Sequence, residues 1–167
     1  MLFRSLDARR RILGPDHPDT LTAMNNLAIT LRGQGDLPGA RKLEEKVLDA
    51  RRRMLGPDHP GTLSAMSDLA NTLSDQGDLA GARKLQEQAL DARRRILGPR
   101  HPDVTASEWN LLLLVEQLKD DVATADLVEH LRWLLDFDVS TLSVDQRGIR
   151  DRLRTSGRAA VPRQPPR

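Results

Sequence analysis

A phrase of eight residues, "LGPDHPDT" at 13–20, returns as "LGPDHPGT" at 55–62 and "LGPRHPDV" at 97–104, each copy 42 residues after the one before. Around it, residues 6–47 and 48–89 agree at about 30 of 42 positions, and residues 90–131 begin with the same "LDARRRILGP" before drifting. A chain written this way folds as copies of one small element, none of which can bury its apolar face alone. The repeat therefore constrains the architecture more than any other feature of the sequence.

Each copy carries two helical patterns. In the first, Leu21, Met24, Leu27, Ala28 and Leu31 recur at helical spacing and form one apolar stripe. Pro18 suits the opening turn, where no amide hydrogen bond is lost, and Asp16 and Asp19 lie near its positive end. Gly35 offers the left-handed residue that stops the helix. Asp36 then caps the second helix, and Leu37, Ala40, Leu43, Val47 and Leu48 supply its inner face. This helix ends at Gly56, and Pro57 blocks its extension. Asp49 and Arg53 are spaced for a surface ion pair. The expected fold class is all-α, a solenoid of stacked antiparallel helix hairpins.

Composition narrows the chemistry. Aromatic residues are 2% of the chain, so the core is built from Leu, Ala, Ile, Val and Met. Cysteine is absent, which removes disulfides and thiolate catalysis. The opening "MLFRSLDARRR" lacks the apolar core of a signal peptide, and the longest apolar run, 111–115, is too short to span a bilayer. A cytoplasmic location is expected. The net charge of +2 is uneven, because seven Arg face one acid from Arg147 onward.

A unit with "NNLA" in its first helix, "QGDLPGARKL" at the turn and a long second helix running into "LGPDHPDT" resembles the tetratricopeptide repeat. The 42-residue length and the His-Pro phrase resemble the kinesin light chain subclass. The resemblance divides the chain into the end of a preceding repeat's second helix (1–14), units at 15–56 and 57–98, a degenerate third unit or C-terminal cap at 99–138, a short capping helix at 139–154, and a disordered, basic, Pro-rich tail at 155–167. The third unit departs from the pattern at Leu112, Lys119 and Thr124.

In this family the first helices line a concave groove that holds an extended peptide or a partner helix. The resemblance assigns that wall to Thr22, Asn25, Asn26, Ile29 and Arg32 in the first unit, and to Ser64, Ser67, Asp68, Asn71 and Ser74 in the second. In the third it falls on Ala106, Trp109, Asn110, Leu113 and Glu116, with Trp109 divided between groove anchor and cap core. The Asn side chains suit this role because an amide both donates to and accepts from a peptide backbone. Arg32 is the one clear basic candidate in the groove, which argues against a carboxylate clamp there.

Other signals point nowhere. His17, His59 and His101 sit in equivalent places in stacked repeats, on the order of 10 Å apart, and one metal ion needs ligands at about 2 Å. The triplets Arg9–Arg11, Arg51–Arg53 and Arg93–Arg95 each lie beside an Asp and read as a solvated outer face, so nucleic acid is not the expected partner. No phosphate loop, nucleophile elbow or zinc spacing is present. The expectation is a non-enzymatic protein-binding module without cofactor or metal. The alternative is a sensor or regulatory arm of a larger signalling ATPase of the STAND type. A half-repeat at the start, with Leu2, Phe3, Leu6 and Ile12, predicts an edge that packs on another subunit or marks a fragment.

Overall fold

The computed structural model describes the backbone of residues 2–156 and the side chains of 6–156. The tail expected to be disordered lies almost wholly outside these residues. Nine α-helices are described: α1 (Leu2–Leu13), α2 (Pro18–Gly33), α3 (Leu37–Leu55), α4 (Pro60–Asp75), α5 (Leu79–Leu97), α6 (Pro102–Gln117), α7 (Asp121–Leu131), α8 (Trp133–Asp136) and α9 (Val144–Thr155), with a 3-10 turn at Val139–Thr141 before the last. Among the described residues there is no strand, and successive helices pack on one another as in an all-α solenoid of hairpins. No described helix is long and apolar enough to cross a membrane.

Each first helix starts with the same device, and the sequence reading missed half of it. Proline does open α2, α4 and α6, but the cap is the histidine before it. The imidazole Nδ1 of His17 accepts from the Asp19 backbone N–H at 3.2 Å, that of His59 from Gly61 at 3.0 Å, and that of His101 from Asp103 at 3.2 Å. An unprotonated ring nitrogen thus does here what a Ser or Asn oxygen usually does. The three histidines set aside as metal ligands are helix starts.

The turn inside each hairpin needs a left-handed residue. Gly35 (φ 85°) and Gly77 (φ 83°) supply it at low cost. The third copy puts Lys119 there, and the backbone holds the same conformation at φ 57°. Its cap survives too: Asp120 accepts from the Ala123 N–H at 3.0 Å, as Asp36 does from Gly39 at 3.0 Å. The third copy departs in sequence at the turn but keeps its geometry.

The chain divides into two compact parts, residues 1–89 and 90–167. In the N-terminal part α2 pairs with α3, α3 packs on α4, and α1 packs on α2. Leu21, Met24, Leu27, Val47, Leu63 and Met66 fill the interior. The small residues Ala28, Ala40, Ala70 and Ala82 are buried to 1% exposure or less, so helices approach closely there. Each buried Leu or Met contributes about 1.5–3 kcal/mol.

The arginine triplets do more than face water. Arg9 Nη1 donates to the Asp19 carbonyl at 3.4 Å, and Arg51 Nη1 donates to the equivalent Gly61 carbonyl at 2.9 Å. Each ties the end of one repeat to the first turn of the next. Arg53 is paired with Asp16 at 3.5 Å and not with Asp49 as helical spacing implied. A partner brought close by the turn displaces the one four residues away.

In the C-terminal part α6 pairs with α7, and α9 packs on α6 and α8. Helix α7 stops after 11 residues, whereas α3 and α5 run for 19. A turn at Arg132 then leads into α8, where Leu134, like Leu131, is fully buried. Ser143 and Gln146 form a reciprocal capping box at the start of α9. Gln146 Nε2 also donates to the Arg100 carbonyl at 3.0 Å and lies 3.3 Å from Thr105 Oγ1, which fastens α9 to the start of α6.

Candidate functional site

In the N-terminal part the candidate wall lies along α2 and α4. On α2, Thr22 and Asn26 are exposed, Asn25 and Arg32 are half-buried, and Ile29 is exposed. Thr22 spends its hydroxyl on the Pro18 carbonyl at 2.9 Å. On α4, Ser64 is exposed, and Ser67, Asp68, Asn71 and Ser74 are half-buried. The two helices meet where Arg32 Nε stands 3.7 Å from Asp75 Oδ2. Two polar atoms on this wall are buried without a hydrogen-bond partner, Asn25 Oδ1 and Arg32 Nη1. Asn71 is less free: its Oδ1 accepts from Gln86 Nε2 of α5 at 3.4 Å.

Behind the wall sits a group that the sequence reading passed over. Glu44 of α3 is 1% exposed, and neither carboxylate oxygen has a hydrogen-bond partner. Burial pushes its pKa up to about 7. The neighbouring Thr72 hydroxyl and the Arg32 charge pull it down, while Asp68 and Asp75 push it further up. The signal was in the pattern, since Glu44 lies four residues after Ala40 and three before Val47, on the inner face.

The next repeat places Gln86 at Glu44's position, where it is also buried, and Asn71 meets it across the hairpin. The residue of α2 equivalent to Asn71 is Ile29, which has no polar group to offer Glu44. The wall is therefore backed by an orphan acid in one hairpin and a bonded amide in the next.

In the C-terminal part the corresponding residues lie on α6. Asn110 is exposed, Leu113 is 38% exposed, and Ala106 and Glu116 are half-buried. Trp109 is 5% exposed, with the Arg152 guanidinium of α9 6.0 Å from its ring centre. Glu108 beside it is buried and bonded to Arg94, Oε1 lying 2.6 Å from Nη2 and 3.1 Å from Nε. Burial raises the Glu108 pKa, and the Arg94 bond opposes the rise.

The sequence pattern of the tetratricopeptide repeat matches residues 4–19, 20–61 and 62–103. Among solved structures, a kinesin light chain-type protein of Podosopora anserina with nearly identical TPR-like repeats aligns with a TM-score of 0.73 at 23% identity, over 95% of this chain and 75% of that one. A single-residue variant of the same protein gives 0.74 at 22% identity with equal coverage. BtubC (BKLC) from P. vanneervenii aligns at 0.71 and 18% identity, over 99% of this chain and 58% of its own. At these identities the likeness is one of fold. No curated protein matches the chain.

Proposed function

This chain belongs to the tetratricopeptide repeat family, and we propose that it is a non-enzymatic docking module that takes an extended peptide or a partner helix along the faces of α2 and α4. The family is one of protein-interaction modules, and its kinesin light chain-like members share this fold. The observation that carries the reading is unspent hydrogen-bonding capacity on a regular frame. Asn25 Oδ1 and Arg32 Nη1 stand buried and unpartnered on the same helix face. A partner backbone met by these side chains as they turn outward would satisfy both, and leaving such atoms unsatisfied costs about 1–3 kcal/mol each.

The wall also differs between the repeats where the frame does not. Asn25, Asn26, Ile29 and Arg32 become Ser67, Asp68, Asn71 and Ser74, while "LDARRR" and "GARKL" are kept. A variable surface on a constant scaffold is how repeat proteins acquire partner specificity. The test is the double variant Asn25→Ala with Asn26→Ala, chosen because Asn71 already serves Gln86. Partners captured by the wild-type chain and confirmed by titration are expected to bind it about tenfold more weakly, at an unchanged melting temperature. Undiminished affinity overturns the groove assignment.

A homo-oligomeric contact at α1 is a separate proposal, supported by Ile12 at 80% and Leu13 at 40% exposure. Sedimentation over a range of concentrations decides it, since a strict monomer throughout leaves that edge without a role.

A further inference from the structure

Two clefts occupy the same place in the first and third copies of the repeat, and their chemistry has been exchanged. The first-copy cleft measures about 390 Å³, with Arg10, Asp16, Met24 and Arg53 among its lining residues. The third-copy cleft measures about 260 Å³ and is lined by Arg94, Pro99, Arg100, Glu108, His130 and Trp133. Arg94, Arg100, Glu108 and Trp133 stand 84 residues, or two repeat lengths, after Arg10, Asp16, Met24 and Asp49.

We propose that the third-copy cleft is a receptor for a carboxylate carried on an acidic peptide segment, with Arg100 as the group that grips it. In the first copy Asp16 is paired with Arg53 at 3.5 Å. At the same two positions the third copy has Arg100 and Phe137, and the pair becomes a guanidinium over a ring at 5.3 Å. Trp133 offers a second ring at 5.5 Å, nearly perpendicular to the first at an interplanar angle of 87°. Two ring faces at an angle hold the guanidinium in place while using none of its N–H groups.

Among the described residues the Arg100 guanidinium makes no ion pair or hydrogen bond. Its neighbour Arg94 is cancelled by Glu108, which leaves the cleft with one uncompensated positive charge. His130 adds a ring whose Nδ1 lies 3.5 Å from Asp126. A carboxylate fits the planar fork of an arginine through two parallel hydrogen bonds. A guanidinium already fixed in place loses little freedom on binding it. The aliphatic part of the same segment finds Trp133 and Pro99 as its wall. The cleft lies where the end of α5, the following loop, α6, α7 and α8 converge. It is distinct from the α2 and α4 wall and stands or falls independently of it.

The experiment is a titration of the isotope-labelled full chain with a triglutamate peptide blocked at both ends, at fixed ionic strength. The Trp133 indole N–H and the Arg100 amide are followed by NMR. A saturable shift at both is expected. Arg100→Asp, which installs the residue of the first two copies, should weaken binding by about tenfold or more while the rest of the spectrum is unchanged. Arg100→Lys keeps the charge but loses the fork, and should weaken it severalfold. A blocked triglutamine peptide producing the same shifts, or Arg100→Asp binding as the wild type does, overturns the proposal. So does inorganic phosphate saturating the cleft under conditions where the glutamate peptide leaves it empty.

Discussion

Two buried glutamates, one in each part of the molecule, show what a partner is worth. Glu44 in the N-terminal part is 1% exposed and unbonded, and its pKa rises to about 7. Glu108 in the C-terminal part is 2% exposed and holds Arg94 at 2.6 Å. Burial penalises the charged form of both, and only in the second does an arginine offset part of the penalty, through Oε1, while Oε2 stays without a hydrogen-bond partner. The repeats place other residues at the same positions: Gln86 and Val128 for Glu44, Met24 and Met66 for Glu108. The frame therefore accepts apolar or amide groups there, and each acid is a local choice of one copy.

The largest effect should come from breaking the compensated pair. Arg94→Leu leaves Glu108 buried and alone, and is expected to cost about 3 kcal/mol or more in urea unfolding at pH 7.5. The double variant Arg94→Leu with Glu108→Met should recover most of that loss. Glu108→Met alone recreates the first copy's arrangement, in which Arg10 Nη2 lies 3.6 Å from Met24 Sδ, and should be near neutral. If Arg94→Leu is harmless, Glu108 is not held by its partner and the contrast with Glu44 disappears.

Next comes the uncompensated acid. The folded pKa of Glu44 is raised above its unfolded value, so the stability it lends is complete below about pH 4.5 and is lost as pH rises to about 7. Glu44→Gln, the residue of the following repeat, removes this dependence. It should stabilise the chain by up to about 3 kcal/mol at pH 8 and change little at pH 4.5. Unfolding curves of both proteins across that range give the answer. A wild-type minus variant difference that does not vary with pH would show that Glu44 meets a proton or a donor at every pH.

A smaller effect separates the copies at the hairpin turn. Lys119 holds at φ 57° what Gly35 and Gly77 hold with no side chain. Lys119→Gly should stabilise by about 1 kcal/mol, and Gly77→Lys should cost a similar amount. The smallest effect is the one the copies share. His17→Ala and His101→Ala should each cost about 0.5–1 kcal/mol, equally, because each removes the same cap. Unequal losses would mean the equivalence of the helix starts is only apparent.

The parts of the fold that were legible in the sequence are those where cause and effect are neighbours along the chain. Gly35 with Asp36, Gly56 with Pro57, and Pro18 each act within a turn of themselves, and the helices begin and end where those residues place them; the His17 cap is as local, but a ring nitrogen in that role went unread. The candidate wall was readable only by resemblance, and its orphan atoms at Asn25 and Arg32 appear once the helices are packed. Trp109 was divided between groove and core in the sequence, and its burial beside Arg152 of α9 appears only in the fold.

By itself the sequence determined a 42-residue hairpin, its caps, its turns and its inner stripe, because hydrogen bonds to the next few amides and a 3.6-residue period are local matters. Only the tertiary structure decided that Arg53 meets Asp16, that Glu44 is sealed without a donor while Glu108 finds Arg94, and that Arg100 rests on two rings with its N–H groups unspent. Those outcomes join residues 14 to 37 positions apart. Which acid is compensated, and which cation left free, depends on what the packing of helices brings within a few ångströms.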